Sequence, residues 1–401
     1  MADDVTYLGR TTFRRTDQPF GVHQADRLSH VYIVGKTGVG KSTLLEAMAY
    51  QDARDGRGFA LVDPHGDLAT RLAETLPREA RARLIYLDAA DPRQPFGYNP
   101  LHRVRQDKIP LAVSGLLETL RKLWPDAWGM RMEHVFRNCL YALLEQADAR
   151  LPDILTLLQD DDYRKVVVRQ LRNPTVRDFW RYEYENYPAR LRAEAIAPIQ
   201  NKLGALLSDP LLYRILVEPS IDLRFRGLID QGKILLVNLC KGQIGEDSAH
   251  ILGGLIASTL SLAAFSRAEL AAERRRPFIL YLDEFQSFTT LSVINMMSEL
   301  RKYGVGLTLA HQHLHQLDPD IRHAVLGNAA TLIVFRVGPE DAQVLAKEFQ
   351  PQFEVEDLLN LPNQHIYLKL MIDGTPSPPF SARTLRPDDL THLGLGAAPL
   401  G

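Results

Sequence analysis

Two cysteines in 401 residues leave nothing from which to build a disulfide framework. Cys139 and Cys240 stand far apart in apolar surroundings, which points to buried thiols in a reducing compartment, and so to the cytoplasm, more than to a metal cluster. Neither sign of charge dominates: 47 lysines and arginines meet 49 aspartates and glutamates, for a net charge of −2. That balance excludes a chain coated in basic residues, so any surface for nucleic acid must be local. The start carries no basic, apolar, small-residue leader, and neither a signal peptide nor a membrane anchor is expected there. Long hydrophobic runs are missing too. The longest, 251–265, contains Ser258, Thr259 and Ser261 and falls short of the roughly 18 residues of a membrane span, so it is expected as a buried helix. No internal repeat is visible.

What is present is a set of short apolar, β-branched runs at 31–34, 59–62, 84–87, 234–239, 278–282, 305–310, 331–335 and 366–371. Several lack polar alternation, as strands do when both faces of their sheet are covered, and stretches of helical periodicity such as 44–54 and 68–76 lie between them. The class is α/β with a mostly parallel sheet. Between 110 and 225 the pattern changes to helical periodicity, at 111–124, 133–146, 154–172 and 191–207, with no convincing strand. This reads as an all-α inserted domain holding Trp124, Trp128 and Trp180, placed as core residues more than as base-stacking platforms. The expected division is 1–109, a small N-terminal β-element over 7–26 plus the first part of the core; 110–225, the insertion; 226–387, the second part of the core; and 388–401, a loose tail.

Residues 35–43 read GKTGVGKST between a candidate strand and a candidate helix. In such a loop (Gly35, Lys36, Thr37, Gly38, Val39, Gly40, Lys41, Ser42, Thr43) the glycines let backbone N–H groups converge on phosphate oxygens, and the following helix presents its positive end. Lys41 is suited to the outer phosphates and the Ser42 hydroxyl to Mg2+. A phosphate loop alone hydrolyses nothing. The run 278–282 ends in Asp283-Glu284, an acidic pair whose first member suits the magnesium shell and whose second suits a general base that polarises water. ATP and Mg2+ are therefore the expected ligand and cofactor of a RecA-like P-loop NTPase core.

Further along, 305–310 ends at His311-Gln312, where a polar amide can sense the γ-phosphate, and that role falls to Gln312. Arg301 is a candidate arginine finger for a neighbouring subunit, with Arg336 a second candidate, because a planar guanidinium matches the charge developing on equatorial phosphate oxygens. His311, His313 and His315 alternate without a nearby cysteine or carboxylate cluster, a poor zinc pattern. Asp63-Pro64-His65-Gly66 matches the D-x-x-G of GTPases, yet Asn201-Lys202-Leu203-Gly204 ends in glycine where a guanine reader needs aspartate. Asp63 is expected beside the phosphate loop as a supporting group.

Taken together, GKTGVGKST, FALVDPHGDL, an insertion with WGMRMEHVFRN and IQNKLG, ILLVNLCKGQIGED, FILYLDEFQSF, SELRKYGVGLTLAHQHLHQL and GNAATLIVFRVGPEDA resemble the conjugative coupling ATPases of type IV secretion, within the HerA/FtsK group of DNA-pumping motors. The resemblance covers about residues 19–384. It implies a homo-hexamer around a central channel, DNA as the track, an all-α domain that caps the ring entrance, and a relaxase or secretion channel as partner. Lys41, Ser42, Asp283, Glu284, Gln312 and Arg301 fall on the family's motif positions. Coupling proteins of conjugation usually carry an N-terminal transmembrane region; here no apolar span precedes the first core strand, so a soluble member is expected. Two other functions fit the same residues: an ATP-dependent adaptor that recruits a protein or nucleoprotein, and the motor of a repair or defence complex whose nuclease is another chain. Lys241 and basic residues of the helical cap are candidates for the DNA-facing surface.

Overall fold

The computed structural model describes residues 4–12, 17–102, 104–124, 128–287, 294, 297–386 and 389–390. The chain divides into two compact units. The first comprises Met1–Asp88, Arg226–Cys240 and Ala263–Gly401, and the second Ala89–Phe225 and Lys241–Leu262. The expected insertion, 110–225, lies inside the longer segment of the second unit. The expected tail falls almost wholly outside the described residues, as do residues 13–16 of the N-terminal β-element.

In chain order the strands are β1 (Val5–Thr11), β2 (Pro19–His23), β3 (Val31–Val34), β4 (Gly58–Asp63), β5 (Leu84–Asp88), β6 (Phe96–Gly97), β7 (Ile221–Asp222), β8 (Ile234–Asn238), β9 (Phe278–Leu282), β10 (Val305–His311), β11 (Thr331–Val334), β12 (His365–Lys369), β13 (Met371–Ile372), β14 (Thr375–Pro376) and β15 (Phe380–Thr384). The first unit is built on an eleven-stranded sheet of order β2-β1-β15-β12-β11-β3-β10-β9-β4-β8-β5. From β11 to β5 all neighbours run parallel. Every residue of β3, β4, β8, β9, β10 and β11 is buried, which is why these segments show no polar alternation. From β12 outward the pairings are antiparallel, and β12 alternates half-buried and buried positions. The N-terminal strands are thus the edge of the main sheet, joined to it through β15. Because the central strands are parallel, their C-terminal ends share one edge, where an open α/β sheet binds its ligands.

The second unit is mainly helical, with helices Ile109–Leu123, Met130–Leu144, Pro152–Gln159, Asp161–Gln170, Ala189–Ser208 and Pro210–Leu216. The expected single helix over 154–172 is two, because Asp160 turns its carboxylate onto the N–H groups of Asp162 (2.9 Å) and Tyr163 (3.0 Å) and caps the second. The expectation of no strand in this region is also corrected: β7 pairs in parallel with β6, a two-residue ladder too short for periodicity to register. Trp124 and Trp180 are buried, while Trp128 is half-buried with its indole N–H donating to Glu133 (2.8 Å).

The apolar run 251–265 forms part of helix Glu246–Phe265. The full helix is longer than the run that seeds it, and together with its 3-10 continuation to Glu269 it is long and apolar enough to cross a membrane; 72% of its apolar window is buried within the protein. Cys139 is buried as expected, but Cys240, where the chain leaves β8 at a φ of 39°, is only half-buried.

Candidate nucleotide-binding site

The loop between β3 and helix Lys41–Arg54 demands glycine for two different reasons. A Cβ on Gly35 would lie 2.5 Å from the Phe335 Cβ on the neighbouring strand's end, and Gly40 holds a φ of 119°, which side-chain-bearing residues rarely adopt. The loop is moored on both sides: the Gly35 N–H donates to His311 O (3.3 Å) and the Lys36 N–H to Arg336 O (2.9 Å). Lys41 is buried, and its Nζ donates to the carbonyls of Gly35 (2.6 Å) and Lys36 (3.0 Å). Burial lowers its pKa from the usual lysine value, against the opposing charges of Glu284 and Asp283.

Those two carboxylates stand at the end of β9, both buried. Asp283 Oδ2 is 3.5 Å from Ser42 Oγ, so the hydroxyl and carboxylate that suit a magnesium ion converge. Burial pushes the Asp283 pKa up to about 7, with the negative charges of Asp63 and Glu284 adding to the effect. Such concentrated negative charge fits a divalent cation. Asp63 ends β4 beside the pair, and its carboxylate accepts from the N–H groups of His65 (2.9 Å), Leu68 (2.9 Å) and Ala69 (3.0 Å), which fixes the Pro64-His65-Gly66 turn.

Glu284 adopts a φ of 46°, in the left-handed region that only a few per cent of non-glycine residues occupy. Its carboxylate accepts from Gln312 Nε2 (2.6 Å) and Gln286 Nε2 (2.7 Å). Gln312 Oε1 in turn accepts from the Thr37 hydroxyl (2.7 Å). One glutamine amide thus ties the phosphate loop to the candidate base, and residues from β3, β9 and β10 meet at one strand edge.

A family model for the type IV secretion-system coupling protein DNA-binding domain matches residues 20–364. The chain belongs to this family. No curated protein matches it. Among solved structures, this coupling-protein chain is similar to the bacterial conjugative coupling protein TrwBdeltaN70, at 16% identity over 90% of this chain and 86% of that one, with a TM-score of 0.67. It is also similar to the plasmid coupling protein TrwB in complex with ADP and Mg2+, at 18% identity over 90% and 86% with a TM-score of 0.64. VirB4 of Thermoanaerobacter pseudethanolicus aligns at 16% identity over 98% of this chain and 96% of that one, with a TM-score of 0.60. All three share the α/β P-loop fold.

The side chains of the remaining candidate residues of this family member are engaged differently. Arg301 is exposed and precedes β10, whose seven residues span roughly 20 Å at about 3.3 Å each, so it lies at the far edge of the sheet from its own Gln312. Arg336 lies next to the loop, but its guanidinium donates to Leu361 O (3.0 Å) and Asn363 Oδ1 (2.9 Å). The three alternating histidines have separate surroundings. His311 is fully buried between Tyr32 and Phe285, bonded to the Tyr32 hydroxyl, and burial drops its pKa to about 3. His313 faces Asp341 (3.5 Å) and His315 faces Glu340 (2.8 Å). Sequence reasoning passed over Gln286, whose nearness to the acidic pair was the signal available. It also passed over Gln364, whose N–H donates to Val39 O inside the phosphate loop (2.7 Å) and which no motif marks.

Proposed function

We propose that this chain is an ATP-hydrolysing motor that moves DNA, working as a homo-hexameric ring in the cytoplasm with a relaxase or secretion channel as its partner. The observation that carries the reading is the meeting of Lys41, Ser42, Asp283, Glu284 and Gln312 at one edge of a parallel sheet. The family's DNA-binding designation supports DNA as the track, and the ADP and Mg2+ bound to TrwB support the nucleotide and the metal.

The loop residues 35–43 hold the phosphates through backbone N–H groups, and the Lys41 ammonium swings from the Gly35 and Lys36 carbonyls to phosphate oxygens. Ser42 and Asp283 would hold Mg2+, which when bound would neutralise charge on the phosphate oxygens. Glu284 takes the proton of the attacking water, and Gln312, bonded to both Glu284 and Thr37, orients that base relative to the loop. Arg301 lies too far from its own site to serve it, and in a ring it completes a neighbour's.

Steady-state ATP hydrolysis, measured with and without single- and double-stranded DNA at low salt, tests the motor. One DNA form is expected to stimulate turnover strongly, while Glu284→Gln binds nucleotide and falls by about 100-fold or more. Turnover indifferent to DNA would favour the adaptor instead. For Arg301, mixing Arg301→Ala with Glu284→Gln subunits is expected to restore part of the activity, since some interfaces regain both groups; verified mixed rings that stay inactive at every ratio would remove it from the mechanism.

A further inference from the structure

The nucleotide site has two flanks. On one side of β3 lie β10 and β9, carrying Gln312 and Glu284, so the reacting end of a bound triphosphate lies there. On the other side lie β11, β12 and β15. Because β12 runs antiparallel to β11 and β15 antiparallel to β12, the start of β12 and the end of β15 return to the ligand-binding edge. Two residues outside every motif are found there, Gln364 just before β12 and Arg386 just after β15.

Gln364 is built into the phosphate loop. Its N–H donates to Val39 O (2.7 Å), its carbonyl accepts the Thr384 N–H (2.8 Å), and the Cβ position of Gly40 lies 3.4 Å from its Cγ. It holds a φ of 66°, a conformation that costs a non-glycine residue free energy and that the loop and β15 bonds maintain. Its side chain is oriented too. Arg386 donates to Gln364 Oε1 from Nε (3.0 Å) and from a terminal guanidinium nitrogen (2.8 Å). Since arginine only donates, the amide oxygen must face Arg386. The two amide N–H groups then point away, and they have no partner among the described residues.

We propose that Gln364 and Arg386 form the wall of the site that meets the nucleoside part of the ligand, Gln364 donating an amide hydrogen bond to it and Arg386 acting as a positioning residue. The inference rests on the nucleotide reading above and extends it to the opposite flank. The phosphates occupy the loop and the helix start, so what emerges past Gly40 away from Glu284 is sugar and base.

The test compares two probes by titration calorimetry with Mg2+ present: ADP, which has a nucleoside, and inorganic tripolyphosphate, which has none. Gln364→Glu keeps the acceptor for Arg386 and removes the donors. It is expected to weaken ADP by roughly five- to tenfold, the scale of one hydrogen bond, while tripolyphosphate affinity stays unchanged. Arg386→Ala is expected to give a similar selective loss, with the double variant no worse than either single one, because both remove the same oriented contact. Arg386→Lys, which keeps one donor, is expected to recover part of it. An ADP affinity unmoved in Gln364→Glu would overturn the proposal, as would an equal loss for both probes, which marks a merely structural role. Wild-type protein that bound neither probe would overturn the nucleotide reading itself and this inference with it, whereas loss of both probes in Lys41→Ala alone leaves both standing.

Discussion

Two clusters of buried charge in the first unit share helix Lys41–Arg54 and strand β9, and they are built on opposite principles. Near the end of the helix, Arg27 forms a two-pronged pair with Asp52 (2.6 and 2.9 Å), both essentially without solvent exposure. The Tyr281 hydroxyl closes the cluster at 2.5 Å from each, and Thr6 and Gln24 fill in around the guanidinium. Opposite charges are matched there. At the other end of the same helix, the buried carboxylates of Asp283 and Glu284 face the ammonium of Lys41, which bonds to loop carbonyls, and the buried Asp63 adds its negative charge beside Asp283. Burying a charge without a partner costs several kcal/mol, and a fold tolerates it where a ligand will complete the balance. The matched cluster holds the helix on the sheet; on the proposed function, phosphates and a cation would balance the unmatched one.

The comparison breaks most sharply at Asp52. Asp52→Ala leaves Arg27 buried without its counter-charge and is expected to cost about 3–5 kcal/mol, read as a large drop in the thermal midpoint. Replacing both partners together, as Arg27→Met with Asp52→Leu, is expected to cost far less than Asp52→Ala alone, since Arg27 is no longer an orphan charge and Arg57, which also lies 3.5 Å from Asp52, keeps its pair with Asp55. A mild effect of Asp52→Ala would show that water reaches Arg27 and that the cluster is not closed.

At the open cluster the sign reverses. An ordinary aspartate loses its proton near pH 4, whereas burial and its acidic neighbours hold that of Asp283 until about pH 7. Between those values the folded chain keeps a proton that the unfolded chain has released, so this group's contribution to stability falls as pH rises from about 4 to about 7 and is constant above. Asp283→Asn cannot ionise and escapes the decline. Without nucleotide, the variant is therefore expected to melt close to wild type at pH 4.5 and progressively above it by pH 8, with a gap on the order of a few kcal/mol. A gap that stays flat with pH would mean that Asp283 is ionised throughout. Adding Mg2+ and ADP should reverse the order at pH 8, since only wild type gains the metal-dependent stabilisation.

The same contrast sets how much of the molecule is legible in the sequence. The phosphate loop is legible because its chemistry is contiguous: nine residues carry glycine conformations, an ammonium and a hydroxyl in a row. Asp283-Glu284 is legible because a fully buried strand delivers it, and the buried strands announce themselves by their unbroken apolar runs. Gln312 could be placed at a strand tip, yet its contact with Thr37 bridges 275 positions and follows only from β10 lying beside β3. Nothing local marks the matched cluster, because Arg27, Asp52 and Tyr281 come from the short helix Gln24–Arg27, the end of a longer helix and a mid-strand position. The break at Asp160 hid for another reason: its capping bond competes with helix continuation through a side chain that periodicity treats as merely polar. Gln364 owes its place to a backbone bond and an unusual φ, which its residue type does not reveal.

The finest test of the comparison uses Gln312, because it sits in the open cluster yet carries no charge. Removing a hydrogen-bond partner from the closed cluster should be paid in stability. Removing Gln312 should cost turnover, because its two bonds, to Glu284 and to Thr37, fix the angle between base and phosphate loop, while the exposed Thr37 hydroxyl left behind is solvated and the Glu284 carboxylate keeps its bond from Gln286. Gln312→Ala is therefore expected to lower kcat by about 10- to 100-fold while ADP affinity changes by less than about threefold and the melting temperature scarcely moves. A loss of ADP affinity equal to the loss of kcat would make Gln312 a ground-state contact, and a melting temperature that fell as for a buried partner would erase the distinction between the two clusters.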